Sequence, residues 1–177
     1  MSQLNLGDAA IPFSLTGVDD QQHALDNHSD KNALAVVFSC NHCPYVLAWE
    51  DRMMQIQADY KDKGVQFLVI NANDAESHPT DSFEKMKERQ QEKNFNYIYL
   101  RDESQEVAKA YGAQRTPEIF LFDKDRKLSY HGAIDDNYED PSAVSANYLR
   151  DALDSVLSGQ TPATPKTDAV GCTIKWK

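Results

Sequence analysis

The sequence predicts a single-domain α/β fold in which a central mixed sheet is flanked by helices. Short apolar runs typical of buried strands, LAVVF (residues 34–38) and VQFLVI (residues 65–70), alternate with helical segments, which favours a largely parallel sheet. Two later strand runs, separated by the four polar residues DKDR, predict an antiparallel hairpin at one edge. The length of 177 residues fits one domain covering residues 1–177, with residues 160–177 as an extended tail.

The first helix is predicted to begin directly after the first buried strand. Pro44 suits the first turn of a helix, where its missing N–H costs nothing. Apolar residues then recur three and four positions apart, and Gly64 supplies a stop. The stripe is formed by Val46, Trp49, Met53, Ile56 and Tyr60. The pattern therefore predicts a helix that packs one face on the sheet.

An inserted helix and strand are predicted after the second buried strand. Residues 80–93 form a charged helical segment whose only large apolar residues are Phe83 and Met86, so we expect it to lie on the surface. The run YIYL (residues 97–100) then predicts a short strand. Asp102 and Gln105 have the spacing of a capping box and predict the start of the next helix.

The last third of the chain is predicted to hold the hairpin, one helix and the tail. The hairpin strands are residues 119–122 and 127–131. Asp140 followed by Pro141 is typical of a helix start, and the apolar pattern continues toward Gly159. Prolines interrupt the tail and predict an extended strap, for which Trp176 is the expected anchor.

The charge and the cysteine count exclude several classes of function. Acidic residues outnumber basic ones 28 to 18, giving a formal net charge of −10, so we expect no nucleic-acid or membrane partner. Three cysteines are too few for a disulfide-stapled secreted scaffold. The first residues lack the pattern of a secretory signal, and no stretch approaches the length of a membrane span, so we expect a cytoplasmic location.

The candidate catalytic centre is a CxxC motif in FSCNHCPYV, residues 38–46. The motif joins a buried strand to a helix N-terminus, whose partial positive charge and free N–H groups favour a thiolate. We therefore expect a lowered pKa at Cys40, with Cys43 close enough to form a disulfide. His42 lies between the two cysteines, and its imidazolium is expected to favour the thiolate further.

A second element places Thr116 and Pro117 directly before a buried strand, in QRTPEIFLFD (residues 114–123). CxxC followed by Thr–Pro in this order resembles the thioredoxin superfamily, in which a cis Thr–Pro faces the cysteines. The resemblance implies a thioredoxin-like fold and a role for Pro117 in guiding an extended substrate. The insertion between the two elements is similar to the alkyl hydroperoxide reductase/thiol-specific antioxidant branch, as is the opening LGDAAIPFSL.

Over residues 4–177, this chain resembles the redoxins, which are bacterial peroxiredoxin-like proteins of the thioredoxin family. They share its CNHCPYV centre, its TPEIFLFD loop, its HGAIDDN segment and its GCTIKWK ending. A peroxiredoxin site, however, has the pattern Pro-x-x-x-Thr-x-x-Cys-Pro and a distant arginine. Aligned on Cys43 and Pro44, this chain has Cys40 at the threonine position, Val36 at the proline position and Pro117 at the arginine position. Only the Cys-Pro pair is kept.

Cys172 leaves two interpretations open. It is either a partly buried thiol of the tail or a resolving cysteine that reaches the CxxC pair, since peroxiredoxins place such a residue near the end of the chain. We include it among the candidate site residues with Cys40, His42, Cys43, Thr116 and Pro117.

These patterns predict a thiol–disulfide oxidoreductase in which Cys40 attacks a protein disulfide and Cys43 resolves the mixed disulfide. The expected partners are a protein disulfide and a thiol electron donor, with no cofactor and no resident metal; the patterns leave the oligomeric state open. Two alternatives stay open at this point. One is a thiol-dependent peroxidase with Cys43 as the peroxidatic residue. The other is a copper or zinc carrier in which Cys172 and either His42 or His131 complete the cysteine pair.

Overall fold

A computed structural model gives the structure of residues 4–177; residues 1–3 of the predicted domain lie outside the described residues. The helices are α1 (Pro44–Tyr60), α2 (Phe83–Lys93), α3 (Glu106–Tyr111) and α4 (Tyr148–Leu157). The strands are β1 (Ser14–Gly17), β2 (Gln22–Ala24), β3 (Ala33–Ser39), β4 (Val65–Asn71), β5 (Ile98–Arg101), β6 (Arg115–Thr116), β7 (Glu118–Phe122), β8 (Leu128–Gly132) and β9 (Cys172–Thr173).

Seven strands form one mixed sheet in the order β2-β1-β5-β4-β3-β7-β8. The three strands β5, β4 and β3 are parallel, and the pairs on either side of them are antiparallel. The predicted mixed sheet with an antiparallel edge hairpin is thereby confirmed. The sequence had not revealed β1 and β2, which extend the opposite edge.

The sheet is covered on both faces, because the residues of its central strands are apolar on both sides. One face packs against α1, α2 and α4, with Trp49, Met86 and Leu153 among its fully buried side chains. The other face packs against α3, residues near the beginning of the chain and Ile174 of the tail. Met86 is therefore part of the core, although the surrounding helix α2 is largely charged.

Two predicted helix starts are wrong. A turn of 3-10 helix at Pro79–Asp81 precedes α2, which begins only at Phe83 with Ser82 as its N-cap. Before α3, the expected capping box does not form, because Gln105 is itself the N-cap residue, in a left-handed conformation with φ of 67°. Asp102 instead accepts a hydrogen bond from the backbone N–H of Ala108.

The last helix also begins later than predicted. Asp140 caps a single 3-10 turn, Pro141–Ala143, by accepting a hydrogen bond from the backbone N–H of Ser142. Val144 then returns to extended backbone, and α4 begins only at Tyr148. The local capping signal is real, but it serves one turn and not the whole helix.

The tail is an extended strap, and it joins the fold through backbone pairing. Within it, β9 pairs antiparallel with β6 in a second, two-stranded sheet. The predicted anchor Trp176 is 40% exposed, whereas Ile174 is buried to 3%, so Ile174 is the anchor. Among residues 4–177, no helix has the length and apolar character needed to cross a membrane.

Candidate active site

The CxxC motif lies where strand β3 ends and helix α1 begins. Strand β3 ends at Ser39, and Cys43 is the N-cap residue of α1, followed by Pro44 in the first turn. Cys40 and Cys43 are each only 3% exposed. The described free cysteines are Cys40, Cys43 and Cys172. The site therefore holds two buried sulfurs at a helix N-terminus.

Thr116 contacts both sulfurs from the opposite side of the site. The Cys43 sulfur lies 3.5 Å from the backbone oxygen of Thr116, to which it donates while it holds its proton. The Cys40 sulfur lies 3.6 Å from the Thr116 hydroxyl. The peptide bond between Thr116 and Pro117 is cis. The structure thus brings together two elements that lie far apart in the sequence, the cysteine pair Cys40 and Cys43 and the dipeptide Thr116–Pro117.

The two thiols of the motif differ in acidity. The hydrogen bond from Cys40 has the largest effect on the pKa of Cys43 and lowers it. Burial alone would raise that pKa, but further hydrogen bonds from Cys172 and the Val46 backbone also lower it, and the pKa of Cys43 falls to about 4. The same bond, burial and the charge of Asp81 raise the pKa of Cys40 above its usual range. The expectation of a lowered pKa at Cys40 is therefore wrong, because Cys43 caps the helix and receives the hydrogen bonds.

His42 is directed to a neighbouring loop. Its Nδ1 lies 2.9 Å from the Thr80 hydroxyl and 3.2 Å from a carboxylate oxygen of Asp81, and its side chain is 44% exposed. The influence of His42 on the cysteine sulfurs stays a prediction.

A buried carboxylate that the sequence analysis missed, Asp81, supports the CxxC loop. Its side chain is 0% exposed, and it accepts a hydrogen bond of 2.8 Å from the backbone N–H of Asn41. It also accepts hydrogen bonds of 3.0 Å from the side-chain amides of Asn71 and Asn73. Tyr99 completes the cluster by donating to the side-chain oxygen of Asn41 over 2.7 Å. Asp81 therefore fixes the backbone between the two cysteines.

The sequence offered only a weak signal for Asp81. The polar residues that follow β4 indicate a functional strand end, since Ser39 and Asn71 are paired at the same edge of the sheet. The position of Asp81 depends on the fold of the insertion, and no spacing rule connects it to the cysteines.

A second buried pair supports the loop that carries Thr116. One carboxylate oxygen of Glu118 accepts hydrogen bonds of 2.9 Å from the backbone N–H groups of Gln114 and Arg115. The other oxygen lies 2.7 Å from Nε2 of His131. The ring of His131 stacks on Phe120. Glu118 thus holds the backbone just before Pro117 in place.

Cys172 lies beside the cysteine pair. It is opposite Thr116 in the β6–β9 pairing, and it packs against the cluster formed by Cys40, Cys43 and Val46. Its side chain is partly exposed, unlike those of the other two cysteines. Burial, and then the hydrogen bond and charge of Cys43, raise the pKa of Cys172 to about 11.

Residues 4–177 contain no group of three or more His, Cys, Asp or Glu side chains arranged to hold a metal ion. The two histidines considered for such a site have other partners: His42 lies against Thr80 and Asp81, and His131 lies against Glu118. The metal-carrier alternative therefore has no ligand set in this part of the chain.

Comparison with known proteins places this site in a family. The Redoxin family model matches residues 5–147, whereas curated proteins give no match. Two solved structures are similar over nearly the whole chain. A hypothetical protein from Sinorhizobium meliloti has 36% identity and a TM-score of 0.93, covering 99% of this chain and 97% of its own. An uncharacterized conserved protein from Geobacillus kaustophilus has 41% identity and a TM-score of 0.92, covering 98% and 93%.

A more distant structure supports the predicted fold. The putative thiol:disulfide interchange protein DsbE from Chlorobium tepidum has 23% identity and a TM-score of 0.64, covering 73% of this chain and 85% of its own. The thioredoxin-like fold is thereby confirmed. Because the family model spans more than half of its length, this chain belongs to the Redoxin family.

Proposed function

We propose that this redoxin is a thiol–disulfide oxidoreductase that exchanges the Cys40–Cys43 pair with protein disulfides. The main observation in support of the proposal is that the sulfurs of Cys40 and Cys43 both contact Thr116 at the N-terminus of α1. A thiolate is the reactive form in disulfide exchange, and Cys43 has the lowered pKa. The name of the Chlorobium tepidum neighbour, a putative thiol:disulfide interchange protein, agrees with this activity.

In this mechanism Cys43, and not Cys40, makes the first attack. The Cys43 thiolate attacks one sulfur of the partner disulfide, and the partner's other sulfur leaves as a thiolate. The Cys40 thiol then attacks the Cys43 sulfur, which forms the Cys40–Cys43 disulfide and releases the second partner thiol; the Cys40 proton passes to a released thiolate. Two electrons have moved to the partner, and a thiol donor restores the dithiol. The donor and the cytoplasmic location remain predictions.

The fixed surroundings of the sulfurs support this exchange. Asp81 holds the loop between the cysteines, and Glu118 holds the loop that carries Thr116. Pro117 has no backbone N–H, so the site has no competing donor at that position. The two sulfurs are thereby kept within hydrogen-bonding reach of each other.

Insulin reduction in the presence of dithiothreitol tests the proposal. We expect Cys43→Ser and Cys40→Ser each to lose turnover, for different reasons. The Cys40→Ser/Cys172→Ser variant, in which no neighbouring thiol can resolve Cys43, should accumulate a mixed disulfide through Cys43, which a non-reducing digest and mass spectrometry detect. The Cys40→Ser/Cys43→Ser double variant is the matched control for background reduction. Turnover by Cys43→Ser at the rate of the unsubstituted protein would contradict the mechanism.

Peroxide reduction at Cys43 is the second candidate function. The observation in its favour is the lowered pKa of Cys43 directly before Pro44, at a helix N-terminus. Against it, Cys40 occupies the place of the threonine that peroxiredoxins use. Treating the reduced Cys40→Ser/Cys172→Ser variant, in which no neighbouring thiol can react with a sulfenate on Cys43, with equimolar hydrogen peroxide and dimedone decides between the two. A sulfenate adduct on Cys43 supports the peroxidase, and an absence of the adduct removes it.

A further inference from the structure

Residues 171–174 of the tail lie along the backbone of strand β6, directly before Pro117. Thr116 and Cys172 are paired residues of the antiparallel β6–β9 ladder, and the Ile174 N–H donates to the backbone oxygen of Gln114 over 2.9 Å. The approach is close, because a Cβ added to Gly171 would lie 2.1 Å from the backbone oxygen of Thr116. This segment therefore occupies the edge expected for an extended substrate.

Further contacts hold this segment of the tail in place. The Asp74 N–H donates to the backbone oxygen of Lys175 over 2.8 Å, and the Lys175 N–H donates to the side-chain oxygen of Asn73 over 3.0 Å. The side-chain amide of Gln105 donates to the same Lys175 oxygen over 2.9 Å. With Ile174 buried, these contacts fix the chain directly after Cys172.

Exposure separates the three cysteines into an inner pair and an outer residue. Cys40 and Cys43 are both buried, while Cys172 is partly exposed and packs on their cluster. A thiol arriving from solvent therefore meets Cys172 before it meets the inner pair.

We propose that Cys172 is a third catalytic cysteine, which forms a disulfide with Cys43 and passes oxidising equivalents between the buried pair and thiols in solution. The inference rests on the proposed function, because it requires the Cys40–Cys43 disulfide as the source. In the first step Cys172 gives up its thiol proton and the resulting thiolate attacks the Cys43 sulfur. The Cys43–Cys172 bond forms, the Cys40–Cys43 bond breaks, and Cys40 leaves with the electron pair and takes a proton.

An external thiol then completes the transfer. It attacks the partly exposed Cys172 sulfur and expels Cys43 as a thiolate, which is a good leaving group because its pKa is low. A second external thiol attacks the mixed disulfide on Cys172, which releases an external disulfide and the Cys172 thiolate. Two external thiols have been oxidised and the protein has gained two electrons.

Disulfide mapping tests the first step. Reduced Cys40→Ser, which keeps Cys43 and Cys172, should form one intramolecular disulfide with equimolar diamide. The matched control is Cys43→Ser, whose Cys40 contacts the Thr116 hydroxyl and should form no such bond with Cys172. If Cys40→Ser yields only intermolecular disulfides under these conditions, the proposal is overturned.

Stopped-flow reduction by glutathione tests the relay. We expect oxidised Cys172→Ser to be reduced at least tenfold more slowly than the unsubstituted protein. Gly171→Ala, which keeps all three thiols but displaces the tail, should slow the reaction in the same direction. Equal rates for Cys172→Ser and the unsubstituted protein would overturn the relay alone. Failure of Cys172→Ser to form the Cys40–Cys43 disulfide in excess glutathione disulfide would instead overturn the proposed function, and the relay with it.

Discussion

Replacing Asp81 with asparagine isolates the contribution of one buried negative charge to the site. The amide can keep its oxygen toward the Asn41 N–H and the Asn71 amide, which both bond the same carboxylate oxygen. Its NH₂ group then faces the Asn73 amide and the His42 ring, where the second carboxylate oxygen accepted before. The substitution therefore removes a charge and sets two amide donors against each other.

The magnitude follows from these contacts. A buried donor left without an acceptor costs about 1–3 kcal/mol, so we expect Asp81→Asn to lower the free energy of unfolding by that amount. The charge of Asp81 also contributes to the raised pKa of Cys40. Because a nearby negative charge disfavours a thiolate, its removal should lower the pKa of Cys40.

Urea unfolding measures the first effect, and the pH dependence of Cys40 alkylation, read by mass spectrometry in a Cys43→Ser background, measures the second. Asp62→Asn is the matched control, since Asp62 is exposed beyond the far end of α1. Two results would refute the assignment of Asp81 as the support of the CxxC loop. One is that Asp81→Asn is as stable as the Asp62→Asn control. The other is that Asp81→Asn leaves the pH profile of Cys40 alkylation unshifted.

Three further predictions concern other parts of the molecule. Iodoacetamide labelling of Cys43 in the reduced protein should persist from neutral pH down to about 5 and fall as the pH passes through about 4. The pKa of Cys43 is lower in the folded protein than in the unfolded chain, so the thiolate contributes its full stability above the unfolded pKa. The difference in unfolding free energy between the reduced protein and Cys43→Ser should therefore shrink as the pH falls from 9 to 4. A difference independent of pH would be inconsistent with a thiolate at Cys43. Glu118→Gln turns an amide donor toward His131 or the Gln114 N–H, so we expect the free energy of unfolding in urea to fall by about 1–3 kcal/mol. A stability equal to that of Glu106→Gln would be the contrary result. Met86→Ala leaves a cavity under α2 and should cost about 2–5 kcal/mol, whereas Glu84→Ala on the exposed face of α2 should stay within about 0.5 kcal/mol; equal losses would place Met86 outside the core.

The sequence was most informative where burial is continuous. Strands β3, β4 and β7 each contain an apolar run of four or more residues, so their positions follow from composition alone. The edge strands β1 and β2 are short and half-exposed, and their polar residues resemble a loop. The start of α4 depends on how the chain after Val144 packs, which a local capping signal does not encode.

The candidate site divides in the same way. Cys40, Cys43 and the Thr116–Pro117 element were found from spacing and resemblance, and the structure brings them together. The acidity of the two thiols was assigned to the wrong cysteine, because it depends on which sulfur receives hydrogen bonds from Cys172 and the Val46 backbone. Asp81 and the Glu118–His131 pair depend on tertiary contacts between segments that share no sequence motif.

The order of translation gives the β6–β9 pairing a consequence for how the protein matures. Every strand of the seven-stranded sheet leaves the ribosome before residues 171–177, yet β9 comes from that later segment. During synthesis the Thr116 edge is unpaired, and Cys43 lacks the hydrogen bonds that Cys172 supplies. The nascent chain therefore carries an incompletely assembled thiol centre, and the acidity of Cys43 reaches its final value only when the tail docks.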